Sequence, residues 1–382
     1  MSIESLENKR IMLIGGAGFI GHNLALHLKS LGAEVDVVDS LAVNNFTAFA
    51  SHEEGRDNSE LCLDVIHERL NLLRKHNIPL YIQDARDYHA LNKLFAKTDP
   101  QVVVQLAAVS HADKSNKDPF NTFDHSLRTL ENALDASRDR VEHFVYFSSS
   151  MVYGQFKESV VSEETICEPV GIYGALKYSG EKLVIAYNQV FDLPYTIVRP
   201  SALYGERCVS RRVGQIFIEN ALTGKNITLN GDGSNRLDFT YIGDLVRGIQ
   251  NVIENDNARN QIFNLTYGEG RTLADMASIM KEQFTSLEIK YQPKDKLTPD
   301  RGTLSVEKAK KLIGYCPKFS LEEGYLKYIN WYKKFYDRFN KTFPVRKVGK
   351  TISSNYVFPP IGGHIEPLNS KELSICAKKQ PV

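Results

Sequence analysis

Through the first two-thirds of the chain, apolar residues form short unbroken runs, separated by stretches in which they recur every three or four positions. The run R-I-M-L-I-G-G predicts a buried strand entering a turn, and Ile20, Leu24, Leu28 and Leu31 then predict a helix that Gly32 stops. A-E-V-D-V-V-D predicts a second strand, followed by P-L-Y-I-Q-D, Q-V-V-V-Q-L-A-A, H-F-V-Y-F-S-S-S and Y-T-I-V-R-P. These runs are continuous rather than alternating, as strands are when both faces of their sheet are covered. Strand and helix patterns in alternation predict a doubly wound α/β fold with a parallel sheet.

The connection from Ser40 to Pro79 is long, and its second half, N-S-E-L-C-L-D-V-I-H-E-R-L-N-L-L-R-K-H, has the pattern of an amphipathic helix. From about Ser201 the pattern loosens into loops, short helices and a strand pair, which predicts a smaller second domain. The expected division is a dinucleotide-binding domain over 1–200, with a helical insertion near 42–79 and a sheet completed by about 238–266. A substrate-binding part takes 201–237 and 267–340, and 341–382 forms an extended arm or disordered tail. No internal repeat is present.

Composition narrows the function. The 382 residues are 42% hydrophobic and 24% charged, with a formal net charge of +1. No broad basic field exists for nucleic acid or an anionic membrane, so an anionic ligand must be held by local groups. Cys62, Cys167, Cys208, Cys316 and Cys376 are scattered, with no C-x-x-C pair, and suggest neither a disulfide framework nor a metal site. The N-terminus lacks an apolar signal core, and no apolar run approaches the ~20 residues that span a bilayer. A soluble, reduced, cytoplasmic protein is expected.

Gly15-Gly16-Ala17-Gly18-Phe19-Ile20-Gly21 lies between the first strand and the first helix. Glycines there permit a tight turn and close approach of a diphosphate to the positive end of the helix. The spacing is G-x-x-G-x-x-G rather than G-x-G-x-x-G. Asp39 ends the second strand, where a carboxylate receives ribose hydroxyls and repels a 2′-phosphate, favouring NAD over NADP. Asp84 and Ala85 after the third strand are candidates to meet the adenine, and Leu106, Ala107 and Ala108 after the fourth offer small residues beside the cofactor.

Further along, Tyr173 and Lys177 stand four apart in a helical stretch and share one face. A phenol near pKa 10 is a poor base at neutral pH, and a neighbouring ammonium favours its phenolate. With the motifs G-G-A-G-F-I-G, S-S-S-M-V-Y-G, Y-G-A-L-K and R-P-S-A-L-Y-G in that order, the chain resembles the extended short-chain dehydrogenases/reductases. Within them it is most similar to the NAD-dependent nucleotide-sugar epimerases and dehydratases, over roughly residues 9 to 335. The resemblance implies a Rossmann-type sheet with a smaller C-terminal α/β substrate domain, a bound NAD, and a homodimer through the Tyr173 helix and the preceding helix. It implies that Ser149 hydrogen-bonds the sugar oxygen, that Tyr173 moves its proton, and that Lys177 binds the nicotinamide ribose.

Dehydratases of this kind carry an acid and a base in the two positions after the hydroxyl residue. Here those positions are Ser150 and Met151, and a thioether neither takes nor delivers a proton. What remains is the kit for reversible oxidation at a carbinol, which suits 4-epimerisation of a nucleotide sugar, UDP-linked by preference, in polysaccharide precursor synthesis. A lyase using Glu206 or His111, the latter more structural than catalytic, is the first alternative; a non-enzymatic NAD-binding regulator is the second. Substrate contacts depart from the family pattern. Ala202 replaces an asparagine, and Leu237 stands where a phosphate-binding arginine is expected, with Arg236 one residue earlier and on the opposite face unless a bulge intervenes. Arg301 matches a diphosphate-binding arginine, while Arg207, Arg211 and Arg212 either supply the missing charge or form a solvated basic loop. The bulky gate beside the sugar C2 group falls near Gly302, whose small size would leave room for an N-acetyl group.

Overall fold

Six predicted runs form strands, and a seventh, Gln261–Asn264, joins them in one parallel sheet. The computed structural model describes residues 5–43, 45–50, 58–109, 112–293 and 301–342. The strands are β1 (Arg10–Ile14), β2 (Glu34–Asp39), β3 (Leu80–Ile82), β4 (Val102–Gln105) and β5 (His143–Phe147), followed by Tyr195–Arg199 and Gln261–Asn264. Across the sheet the order is Gln261–Asn264, Tyr195–Arg199, β5, β4, β1, β2, β3. The strand order therefore reverses between β1 and β4, and the crevice at the strand ends there is where such sheets bind ligands.

Alternate residues feed two cores. Ile11, Leu13, Val102 and Val104 pack on one face with the helix α1 (Phe19–Ser30), while Met12, Ile14 and Val103 pack on the other with Leu91, Phe95 and Leu130. Both faces are dry, which explains the unbroken apolar runs. In the long connection after β2, the amphipathic pattern is the helix Ser59–Lys75, preceded by a short helix Phe46–Ala50.

Beyond the sheet, the helices Val213–Leu222 and Leu273–Gln283 pack on Ile227–Asn230, which pairs in parallel with Ile289–Gln292, and the helix Leu321–Thr342 packs on both of those helices. Thr272 starts the second of these helices with a reciprocal capping box to Asp275. The aromatic side chains of Tyr325, Tyr328 and Tyr332 carry this part into the same core as the α1 face of the sheet. Short strands, Val160–Val161 with Thr303–Leu304 and Leu203–Tyr204 with Thr240–Tyr241, stitch the two parts together. Most of the expected C-terminal arm, 343–382, lies outside the described residues.

Candidate active site

At the switch between β1 and β4 the first glycine turn meets the fourth strand end. Gly15 has φ +81°, and a Cβ on it would lie 2.6 Å from the Ala107 nitrogen, so this close crossing requires glycine. The turn leads into α1 with Gly18 at its N-cap and no side chain capping it, which leaves first-turn N–H groups for a ligand. Asp39 locks the turn to the end of β2: one carboxylate oxygen accepts from the Ala17 N–H at 3.0 Å and the other from the Leu41 N–H at 2.8 Å. Burial pushes its pKa up, and the two N–H bonds and the nearby Arg69 charge oppose that.

A cleft runs from this point. Gly15, Gly18, Phe19, Ile20, Gly21, Asp39, Asp84, Ala85, Leu106, Ala107 and Ala108 all line it, so the structure brings the expected cofactor residues of the sheet crevice into one cleft. Asp84 is held by a bidentate bond to Arg86, which bridges to Asp124 at 2.6 Å, and the Arg86 hydrogen bond draws the Asp84 pKa down. Asn132 fixes the adjoining loop by donating to the Ala85 and Arg86 carbonyls, both at 2.9 Å. A small-residue turn, a helix N-terminus without a side-chain cap, a buried carboxylate at the end of β2 and a cleft lined by all three fit a nicotinamide adenine dinucleotide.

Ile20, Leu106, Ala108, Leu203 and Arg212 also line a second cavity, so the two spaces adjoin. This one holds Ser149, Ser150, Met151, Tyr173, Lys177 and Arg301. The serines follow β5, and Ser149 Oγ accepts from the Met151 N–H at 3.2 Å, capping the 3-10 turn Ser150–Tyr153. Its own hydroxyl proton stays available to a ligand oxygen. Tyr173 and Lys177 come from the helix Gly171–Phe191. Gly174 lets that helix press on the serine turn, because a Cβ there would lie 2.8 Å from the Met151 carbonyl oxygen.

Lys177 is buried, donates to the Phe147 carbonyl at 2.6 Å and lies over the Tyr146 ring. Burial pushes its ammonium down from 10.5 to about 8, with only the Glu181 charge opposing. Glu181 is itself engaged: it pairs with Arg199 at 2.7 Å and accepts from Ser148 Oγ at 2.5 Å. Arg301 contacts the Met151 sulfur, has Tyr173 and Arg212 as neighbours, and is brought by burial to about 10.

Other expectations need correction. Arg236 is not in this cavity. Its strand, Arg236–Asp238, pairs with Gly270–Thr272 in regular antiparallel register, with no bulge to turn it inward, and its guanidinium donates to the Gly270 carbonyl. Arg207 also points elsewhere, donating to His22 Nε2 and Asn23 Oδ1, both at 2.9 Å, on α1. Gly302 is small for packing, since a Cβ would stand 2.5 Å from the Ser159 carbonyl oxygen of the neighbouring strand segment. Glu206 accepts from the Tyr241 hydroxyl at 2.8 Å and does not line the serine cavity. His111 lies outside the described residues. The residues that the sequence reading missed include Gln83, His125, Thr129 and Arg69. Of these only Arg69 left a signal, a charge on the apolar stripe of an amphipathic helix.

A parallel doubly wound sheet with a dinucleotide cleft, joined to a serine, tyrosine and lysine cavity, defines a Rossmann-type protein of the short-chain dehydrogenase/reductase class. The match of residues 11–266 to the model of the NAD dependent epimerase/dehydratase family shows that the chain belongs to that family, which makes NAD its cofactor. A Bacillus subtilis protein described as an uncharacterized UDP-glucose epimerase, YtcB, is 31% identical over 62% of this chain and 75% of its own. The UDP-glucose 4-epimerase of Thermotoga maritima, solved with UDP-glucose, is 28% identical and superposes with a TM-score of 0.75 over 85% of this chain and 99% of its own. The UDP-glucuronic acid 4-epimerase of Bacillus cereus, solved with UDP-glucuronic acid and NAD, is 26% identical with the same TM-score and the same coverage.

Proposed function

We propose that this protein is an NAD-dependent epimerase that inverts C4 of a UDP-hexose, or of its N-acetyl or uronic form, through a transient 4-keto sugar. The observation that carries the proposal is the lining of the serine cavity: among the described residues it holds no aspartate, glutamate or histidine. Elimination of water requires a group to take the C5 proton and another to protonate the leaving hydroxyl. Ser150 and Met151 do neither.

NAD, when bound, supplies the acceptor and donor for the C4 hydrogen. The glycine turn, the first turn of α1 and Asp39 hold its diphosphate and ribose, with Asp84 and Ala85 at the adenine end. Ser149 donates its free proton to the sugar O4 and keeps that oxygen against the tyrosine. Tyr173 takes the O4 proton and later returns it. Lys177, anchored on the Phe147 carbonyl, holds the nicotinamide ribose and lends the phenolate positive charge. Arg212 and Arg301 leave the cavity cationic, which suits a diphosphate-linked sugar. The substrate names of the two solved relatives support UDP as the nucleotide.

We further propose a homodimer through the Gly171–Phe191 helix and the helix before it, Thr129–Ser137; Phe120, Phe123 and Ile172, in and before these helices, are exposed apolar residues. The chain would act in the cytoplasm on precursors of surface polysaccharides or other glycoconjugates. No helix among the described residues is long and apolar enough to cross a membrane. The deciding test is incubation of the protein and NAD with a panel of nucleotide sugars in deuterium oxide, read by proton NMR and mass. An isomer of unchanged mass, inverted at C4 and free of deuterium there, is expected. Loss of water or carbon dioxide would refute epimerisation in favour of a lyase.

A further inference from the structure

The helix Ser59–Lys75, inserted between β2 and β3, turns Leu61, Cys62, Val65, Ile66 and Leu73 into the core, and Arg69 with them. Arg69 is only 1% exposed. Its Nε and Nη2 both donate to the carbonyl oxygen of Arg207, at 2.9 and 2.5 Å. Nη1 has no hydrogen-bond partner, although it is buried. Among the described residues no carboxylate pairs with this guanidinium; Asp39 is the carboxylate that acts on it, at longer range. A buried cation with two of its nitrogens spent on a neutral carbonyl and the third on nothing is costly. A second arginine, Arg207, lies close enough to raise that cost.

Arg69 nevertheless lines the cofactor cleft, as do Asp39, Val43, Ser210 and Arg212. Its neighbours include His22, one turn into α1, whose Nδ1 donates to the Gly18 carbonyl while its Nε2 accepts from Arg207. His22 is thereby held neutral and contributes no charge. Arg69 is thus a cationic group on this flank of the α1 N-terminus that lines the cleft and keeps one buried guanidinium nitrogen without a partner.

We propose that Arg69 is a cofactor-binding residue, donating Nη1–H to the diphosphate of the dinucleotide. A ribose hydroxyl would satisfy the donor but leave the charge uncompensated, whereas a diphosphate oxygen satisfies both. The same guanidinium grips the carbonyl of Arg207, a residue in left-handed conformation at φ +64°. It therefore ties the bound diphosphate to the segment that carries Arg212 into both cavities. The inserted helix is then part of the cofactor site rather than a spacer. This inference rests on the family's cofactor and is independent of which sugar reaction the protein performs.

The test is calorimetric titration of the full-length protein with NAD and with ADP, and competition with adenosine. Arg69→Met is expected to weaken NAD and ADP about 10- to 100-fold, the scale of a hydrogen bond between charged groups, and to leave adenosine unchanged. Arg69→Lys, which keeps the charge but not the fork, should recover part of that loss, and it serves as the test if circular dichroism shows the methionine variant unfolded. An equal loss for adenosine would overturn the diphosphate assignment and make Arg69 a packing residue. Unchanged affinity for all three ligands would do the same.

Discussion

Replacing Lys177 by methionine should make the nucleotide-free protein more stable near neutral pH while abolishing its reaction. The ammonium is almost fully buried and rests on one carbonyl, the face of the Tyr146 ring and the distant charge of Glu181, which already serves Arg199. Burial lowers its pKa from 10.5 to about 8. At about 1.4 kcal/mol per tenfold, that drop corresponds to roughly 3 kcal/mol of destabilisation whenever the lysine is charged. The sign follows from proton uptake. Below about pH 8 both folded and unfolded chains carry the proton and the full penalty stands; between 8 and 10.5 the folded chain has released it and the unfolded chain has not, so stability climbs with pH. Methionine avoids the penalty but leaves the Phe147 carbonyl without its donor, a loss of about 1 kcal/mol. The variant should therefore be more stable by about 2 kcal/mol at pH 7, and less stable by about 1 kcal/mol near pH 10.5. Urea denaturation of both proteins without nucleotide, at several pH values across that range, gives the difference directly. A difference that does not change with pH, or a variant less stable at pH 7, would refute the view that Lys177 is held as a strained cation for the cofactor.

Further outcomes follow from the same contacts. Tyr173→Phe should lower kcat roughly a hundred- to ten-thousand-fold while NAD affinity holds, and retained turnover would remove the tyrosine from the chemistry. Glu181→Gln breaks the 2.7 Å buried pair with Arg199, and a urea midpoint should report a loss of about 3–5 kcal/mol; a loss below about 1 kcal/mol would mean that the pair is not desolvated as its burial implies. Asp238 is fully buried, and burial pushes its carboxyl up to about 6 against bonds from Leu304, Thr266 and Gly268. Its contribution is present below 3.8 and lost as pH rises through about 6, so Asp238→Asn should abolish a fall in stability of roughly 3 kcal/mol across that range. Gly302→Ala should destabilise the protein by about 1–3 kcal/mol without altering the choice between plain and N-acetylated substrates. A changed preference with intact stability would restore the gate.

What the sequence by itself determined is what local geometry dictates. Unbroken apolar runs announced the sheet because both of its faces are covered, and the period of 3.6 placed Tyr173 and Lys177 on one helical face. The glycine turn was legible because a crossing as close as Gly15 over Ala107 admits no side chain. The absence of a proton-transfer group at Ser150 and Met151 was equally plain, since side-chain chemistry does not depend on the fold. The arginines were different. Arg207, Arg236 and Arg301 look alike as letters, and only the tertiary structure sent the first to α1, the second to the Gly270 carbonyl and the third to the serine turn. A long cationic side chain on a loop or a short strand finds its partner across distant segments, so strand register and helix placement decide its direction. Gly302 belongs with them, because the neighbour that forbids its Cβ comes from residue 159. Arg69 stands between the two cases: its place on an apolar stripe was written in the helix pattern, but the cleft that gives its charge a purpose exists only when that helix closes over β2 and α1.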